Sequence, residues 1–537
     1  MPRHGEKREL AMSNSTAAAR PNIVFFMVDQ LSARWFEAAR DGACPTPNFD
    51  RLCARGVTFT NVITSNPVCQ PARATIATGL TTRGHGVLEN GYQLDPALPT
   101  FMQVLQRASW RTGALGKVHL RPHFAGLYPD YRPYGFDVTH ITEDPRGGEW
   151  LDWVEAERPE HYEEALATIW ATKIPDFAAY GPRKVNLRDR VEEIRREFDW
   201  RTPEFPENTF MAYTLPFPEE VSQTHWITAH AIDFIRSTPA DQPFCAHVGY
   251  VQPHSPFNAP AAYARLVNLD RIPSPAPAEW LAEPSAPGFF EKFRKRVEGV
   301  DLPRRWRHAR RMYFADISYL DSRLGCVMET LEQTGRLEDT YVIFLSDHGE
   351  MLGDHGFSGK EDKHYDACIR VPLVIAGPGV KPGLVCDEMV QLEDICPTVM
   401  EMTGQMLPEM PKTGPYLNIA PKDIPILPGR SLLPLCRAEK VRDWRSAAYC
   451  ESYNRIDSND PGDWARTIRT KDFRYTFYPR NGEQMFHLAQ DPCEQRNIVA
   501  DPAHAQLRQR LRDELLEMMV MQDYPKTRRE LFALGVH

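Results

Sequence analysis

Nowhere in its 537 residues does this chain string together the ~20 apolar residues that a helix needs to cross a bilayer. Nor do its first twenty residues, MPRHGEKRELAMSNSTAAAR, hold the apolar core of a secretory signal; they read as a polar, disordered leader. The eleven cysteines are odd in number and lack paired spacing, which argues against a disulfide framework and for a reducing, cytoplasmic setting. Basic charge is in deficit: 63 Lys and Arg face 72 Asp and Glu, a net charge of −9. No bulk field therefore draws the chain to anionic lipid or nucleic acid, and no basic patch or stacking motif recommends a nucleic-acid partner. An anionic small molecule would need a local cluster of cations.

What is present suits a soluble globular chain with a sizeable core: 42% of residues are apolar and 25% charged. Short continuous apolar runs at Asn22–Val28, 244–250, 341–345 and 371–376 read as strands buried on both faces. Helical patterns at 100–107 and 310–334 alternate with them. That alternation predicts an α/β fold with a large mixed, mostly parallel sheet flanked by helices, and ligands at the carboxyl ends of its strands. Residues 21–435 are assigned to this domain. Within it, residues 121–225 are rich in Pro, Trp, Tyr and charge, and read as an insertion or lid; Trp150, Trp153, Trp170 and Trp200 are candidates to shape a pocket. A Pro-rich stretch near 406–434 reads as a linker. Residues 440–537 are assigned to a smaller C-terminal α+β domain, with antiparallel strands at 447–451, 464–468 and 473–478 and a closing helix at 503–522.

Polar residues recur where the strands stop. Asp29 and Gln30 follow the first run, His254 follows the second, and Asp347 and His348 follow the third. Cys69 lies in NPVCQPARATIATG, where Pro71 suits a first helical turn and Gly79 a helix end. Cys69 is thus expected at a helix N-terminus, where the dipole and free N–H groups favour an anion, with Arg73 one turn on.

Cys69-Gln-Pro-Ala-Arg73 resembles the Cys-x-Pro-x-Arg signature of type I sulfatases, in the alkaline phosphatase superfamily, with Ala72 where Ser is common. Asp29 and Gln30 resemble that family's first metal-ligand pair, with Gln in place of an acid, and Asp347 and His348 its second. Gly116-Lys-Val-His119 is similar to its second signature. His254 in Pro253-His-Ser-Pro256 and Lys360, ten residues before Arg370-Val-Pro-Leu373, match its further active-site positions. The pieces arrive in the family's order over residues 20–380, and QMFHLAQDPCEQRNI, from Gln484, is like its C-terminal region.

The resemblance implies an alkaline-phosphatase-like fold and a sulfuric ester hydrolase. It implies that a separate formylglycine-generating enzyme oxidises Cys69, and that the hydrated aldehyde, bound to a divalent ion with Asp29, Gln30, Asp347 and His348, attacks a sulfate monoester. Asp347 would accept the proton of the attacking hydroxyl, Arg73 would hold the diol, Lys117 and Lys360 would pair with the ester oxygens, His254 would protonate the leaving group and His119 would take the proton of the remaining hydroxyl. Mostly oxygen donors put Ca²⁺ first, with Mn²⁺ close behind because of the imidazole, and Mg²⁺ open. Asn90 falls where the phosphonate-hydrolase branch keeps a substrate-binding asparagine. A phosphonate monoester or phosphodiester hydrolase, promiscuous or not, is therefore the alternative, although Lys117 and His119 are the residues seen in sulfatases. A non-catalytic binding protein with Cys69 unmodified is a second alternative. The substrate implied is a small-molecule sulfate or phosphonate ester, and a homo-oligomer is left open.

Overall fold

The structure is a computed structural model that describes residues 20–277, 279, 298–407, 428–453 and 464–522. The leader, most of the Pro-rich stretch and the tail from Tyr524 lie outside the described residues.

Strand β1 (Asn22–Val28) is buried throughout and alternates between two cores. Val24, Phe26 and Val28 enter one cluster and Ile23, Phe25 and Met27 the other, as a pleat with period two requires. Around it runs an eight-stranded sheet made of β1, β2 (Gly56–Ile63), β3 (Arg111–Gly116), β4 (Val138–His140), β6 (Phe244–Gly249), β8 (Thr340–Ser346), β9 (Arg370–Ala376) and β10 (Leu384–Gln391). Its order is β10-β2-β9-β8-β1-β6-β3-β4. All neighbours pair parallel except those of β9, which runs against both β2 and β8. The large mixed, mostly parallel sheet read from the sequence is the one observed. The Leu302–Gln333 and Gln223–Ser237 helices pack on one face. Cys69–Thr78 and Ile395–Thr403 pack on the other. The long helix begins eight residues before its sequence signal, capped by Asp301, whose side chain accepts from the Arg304 amide.

Residues 121–225 are not a loose flap. They contribute edge strand β4, the helices Glu149–Glu157, Tyr162–Ala167 and Leu187–Glu197, and β5 (Ala212–Thr214), which pairs with β7 (Phe257–Ala259). Trp150, Leu151, Leu166, Val191 and Ile194 join the same core as β1, and Trp153 and Trp200 pack against it. Of the four tryptophans, Trp170 borders the cleft described below.

The C-terminal unit is an antiparallel meander of β11 (Ala447–Tyr453), β12 (Trp464–Thr470), β13 (Phe473–Tyr478) and β14 (Gly482–His487). The Ala505–Gln522 helix closes it, burying Leu511 and Leu515 against Ile468, Tyr475 and Met485. At the junction with the large sheet, the Glu451 amide donates to the Ser65 carbonyl at 2.8 Å, and Gln391 donates to the Tyr449 carbonyl at 3.2 Å. Glu393 is buried in this junction, and burial pushes its carboxyl up to about 7. The folded chain therefore holds a proton there that the unfolded chain releases near pH 4.5, so this group costs stability progressively as pH rises from about 4.5 to 7. Glu393→Gln should be more stable than the wild type at pH 8, by up to about 3 kcal/mol, with the gain vanishing below pH 4.5. Urea denaturation of both proteins at pH 4.5 and 8 measures that difference.

Candidate active site

The polar residues that follow the buried strands meet at one end of the sheet. Asp29 follows β1, and Gln30 turns the chain away with a left-handed φ of 67°. Asp347 and His348 follow β8. Lys117 follows β3, where Gly116 has φ 92° and a Cβ would lie 2.2 Å from the Gly249 carbonyl oxygen. Only glycine permits that approach, and the Lys117 amide then donates to the same oxygen at 2.8 Å. Cys69 is the first residue of its helix, as its flanking proline and glycine imply, and Gly79 ends that helix at φ 70°. The Gln70 amide at this helix start donates to Asn90 Oδ1 at 3.0 Å, leaving the Asn90 NH₂ as a donor.

Cys69 Sγ lies 2.9 Å from Lys360 Nζ, 3.2 Å from His348 Nε2 and 3.8 Å from Asp29 Oδ1. Arg73 bridges the two acids, with Nε 2.8 Å from Asp347 Oδ2 and a terminal nitrogen 3.1 Å from Asp29 Oδ2. Lys117, wholly buried, sits between Asp29 and Asp144. Burial alone would raise the Asp29 carboxyl, but Lys117, His254, Lys360 and Arg73 around it hold it well below the usual carboxylate range. Burial pushes His348 below its ordinary value against the pull of Asp347 and Asp29, which keeps a neutral ring nitrogen available. Burial, assisted by His123 and Lys117, pushes His119 well below its ordinary value, and its Nδ1 is buried without a hydrogen-bond partner. His254 Nδ1 lies 2.6 Å from the Ser255 carbonyl oxygen, and Trp170 meets the His254 ring edge-on at 5.8 Å. Gln30, Asn90, His119, His254 and Lys360 border one cleft, with Phe124 and Trp170 at its side.

The arrangement concentrates three cations, the cluster that an acidic chain needs to hold an anion, around a thiol backed by two carboxylates. Residues 21–405 match the model of the sulfatase family, and residues 353–521 match that of N-sulphoglucosamine sulphohydrolase, C-terminal. The chain belongs to the sulfatase family. An arylsulfatase of Clostridium perfringens is 26% identical over 487 residues, spanning 89% of this chain and 90% of that protein. A choline-sulfatase of Rhizobium meliloti is 27% identical over 90% of this chain and 83% of its own length. Among solved structures, the phosphonate monoester hydrolase of Agrobacterium radiobacter shares the fold at a TM-score of 0.72, with 23% identity over 94% of this chain and 96% of that chain.

The donor set of this sulfatase-family site fits a divalent cation. Ligating atoms of Asp29, Cys69, Asp347 and His348 lie within 4.8 Å of one another, and the Gln30 side-chain oxygen shares Lys360 with the Cys69 sulfur. Two carboxylates, an amide oxygen and a neutral imidazole are the chemistry that hard or borderline ions take.

Every site residue read from the sequence comes to this one place, and several others were not anticipated. Glu143 accepts from the Val118 and His119 amides at 3.2 and 3.0 Å, from the Tyr131 hydroxyl at 2.7 Å and from His123 Nε2 at 2.9 Å, pinning the loop that carries Lys117 and His119. The His123 ring stacks on His119 with centroids 3.5 Å apart. His247 Nε2 lies 3.1 Å from the Lys117 carbonyl oxygen. Glu143 and Asp144 follow edge strand β4 inside the irregular region, where no periodicity marks them. Glu350 was legible only as part of the run from Ser346 to His355. No described helix is long and apolar enough to cross a membrane, and all eleven cysteines are free.

Proposed function

We propose that this chain hydrolyses sulfate monoesters, with formylglycine made from Cys69 by a separate maturation enzyme as the source of the nucleophile. The observation that carries the reading is the convergence on Cys69 Sγ of Asp29, from the connection after β1, and of His348 and Lys360, from the connection after β8, at the N-terminus of one helix. The hydrated aldehyde supplies one hydroxyl to attack sulfur and a second whose deprotonation releases sulfate and restores the carbonyl. A divalent ion, Ca²⁺ first and Mn²⁺ or Mg²⁺ next, would supply Lewis acidity when bound. Asp29, Gln30, Asp347 and His348 would hold it, together with the modified Cys69.

The remaining roles belong to this chain's own side chains. Arg73 fixes Asp29 and Asp347 and faces the modified residue. Lys117 and Lys360 receive the charge that gathers on the ester oxygens, and the Asn90 NH₂ adds a neutral donor. His254 gives its proton to the departing alcohol or phenol. His119, neutral because it is buried beside His123 and Lys117, takes the proton of the second hydroxyl. Its otherwise unpartnered Nδ1 is consistent with a partner that arrives during turnover. The Glu451 amide of β11 donates to the carbonyl of Ser65, four residues before Cys69, which supports reading residues 21–435 and the unit from residue 440 as acting together. Free cysteines throughout suit a reducing cytoplasm.

Phosphonate monoester hydrolysis is the second reading, favoured by Asn90 and by the fold shared with a phosphonate monoester hydrolase. Parallel assays of 4-nitrophenyl sulfate and a phenyl phosphonate ester decide between them: sulfate turnover should dominate, and a chain active on the phosphonate alone would reverse the assignment. The leaving group would lie between Phe124, 59% exposed, and Trp170, 36% exposed. Phe124→Ala should raise KM for the aryl sulfate by about 2- to 10-fold, the worth of one aromatic contact, with little change in kcat. Steady-state kinetics check this, and an unchanged KM would move the leaving group elsewhere.

A further inference from the structure

Gln30 stands between two groups of opposite demand. Its side-chain NH₂ donates to Glu350 Oε2, and its Oε1 accepts from Lys360 Nζ at 2.7 Å. A carboxylate only accepts and an ammonium only donates, so these neighbours admit one orientation of the amide. The Gln30 backbone cannot drift to escape them: its N–H donates to Asp347 Oδ1 at 3.1 Å, and its carbonyl accepts from the Tyr313 hydroxyl at 2.7 Å. Glu350 is equally fixed. It is 1% exposed, and its Oε1 accepts from the Leu352 amide at 2.9 Å and the Gly359 amide at 2.6 Å. The second of these bonds also sets the turn just before Lys360.

We propose that Glu350 is the positioning residue that decides which atom Gln30 presents to the divalent ion, and that it makes glutamine the fitting residue at position 30. This rests on the metal reading above. With Glu350 behind it, Gln30 turns its oxygen toward Lys360 and the Cys69 sulfur and keeps its NH₂, which is no ligand, away from them. A glutamate at position 30 would instead set one buried carboxylate against another. Position 30 and position 350 thus form a matched donor–acceptor pair, with one carboxylate between them.

The pair can be exchanged. In Glu350→Gln, the two backbone amides still require an acceptor at the Oε1 position, so the new NH₂ faces Gln30. The Gln30 amide must then turn its oxygen toward position 350 and its NH₂ into the site. Ion retention should fall by about 10- to 100-fold, the range for groups that orient metal ligands. Adding Gln30→Glu to Glu350→Gln gives the new NH₂ an acceptor, returns an oxygen to the site and restores the net charge, so the double variant should recover most of that loss.

The measurement is Ca²⁺ and Mn²⁺ retained per full-length chain after dialysis in metal-buffered solution, read by elemental mass spectrometry, alongside aryl sulfate turnover and a thermal melt. Wild-type retention, loss in Glu350→Gln and recovery in the double variant bear the proposal out. Retention in Glu350→Gln equal to the wild type, or a folded double variant no better than the single one, overturns it. Should Glu350→Gln fail to fold, the double variant must still fold and retain the ion, and its failure to do so also overturns the proposal. A wild-type chain that retains neither ion overturns the metal reading itself, and this inference with it.

Discussion

Cys69→Ala should lower kcat for an aryl sulfate by about 10⁴-fold or more, the scale on which removing a nucleophile acts, while the fold changes little. The side chain is buried at the start of a helix and touches Lys360, His348 and Asp29, so every group around it is arranged for what stands at this one position. Alanine leaves those groups in place with nothing to attack sulfur. Cys69→Ser makes a sharper prediction. A serine hydroxyl can attack but has no second hydroxyl to expel the sulfate, so it should turn over once and stop, carrying a bound sulfate visible by intact mass. In the unmutated protein, conversion to formylglycine should lower the mass of the Cys69 peptide by about 18 Da, as a thiol gives way to an aldehyde oxygen. Full turnover by the alanine variant would remove the mechanism, and an unconverted Cys69 in active protein would place the nucleophile elsewhere.

Much of this site was legible because its parts lie at sharp local signals. β1 and β8 are short, continuous apolar runs rich in β-branched and aromatic residues that stop at Asp29 and at Ser346, the pattern of a strand buried on both faces. Pro71 and Gly79 bracket the Cys69 helix in the sequence as they do in the structure. β3 was not legible: RTGALG has two glycines and no apolar run, and it is a strand because Gly113 admits the Phe234 ring and Gly116 admits the Gly249 carbonyl. Lys117 was found through its resemblance to a signature, whereas its partner Asp144 lies 27 residues away in a loop that only tertiary packing brings back. The same packing made residues 121–225 look like a lid. Its helices carry few apolar residues each, and only together, against the β1 core, do they form a layer. Glu350 shows the opposite limit, a residue inside a recognised run whose role depends on the atom across from it.

Lys117→Met should lower kcat by about 10²- to 10³-fold and destabilise the chain by about 3–5 kcal/mol, and the two losses have separable causes. The ammonium is fully buried between Asp29 and Asp144, and burial, which would lower its affinity for a proton, is outweighed by those two carboxylates. The same contact, with His123 and His254, holds Asp144 below its ordinary value although burial pushes it up. A carboxyl depressed in this way adds stability above its unfolded pKa, near 3.8, and loses it as pH falls through the folded value. Methionine fills the space but removes the charge, leaving two acids face to face. The stability deficit should therefore be largest above about pH 4 and shrink below it, as one of the acids takes up a proton. Adding Asp144→Asn to Lys117→Met removes the surplus charge and should recover much of the stability at pH 7. It should recover little of the activity, because the missing ammonium still leaves the developing charge on the ester oxygens without its partner. Urea denaturation across pH, set beside kcat for both variants, tests the separation. Activity that returned together with stability would mean that Lys117 serves the fold alone.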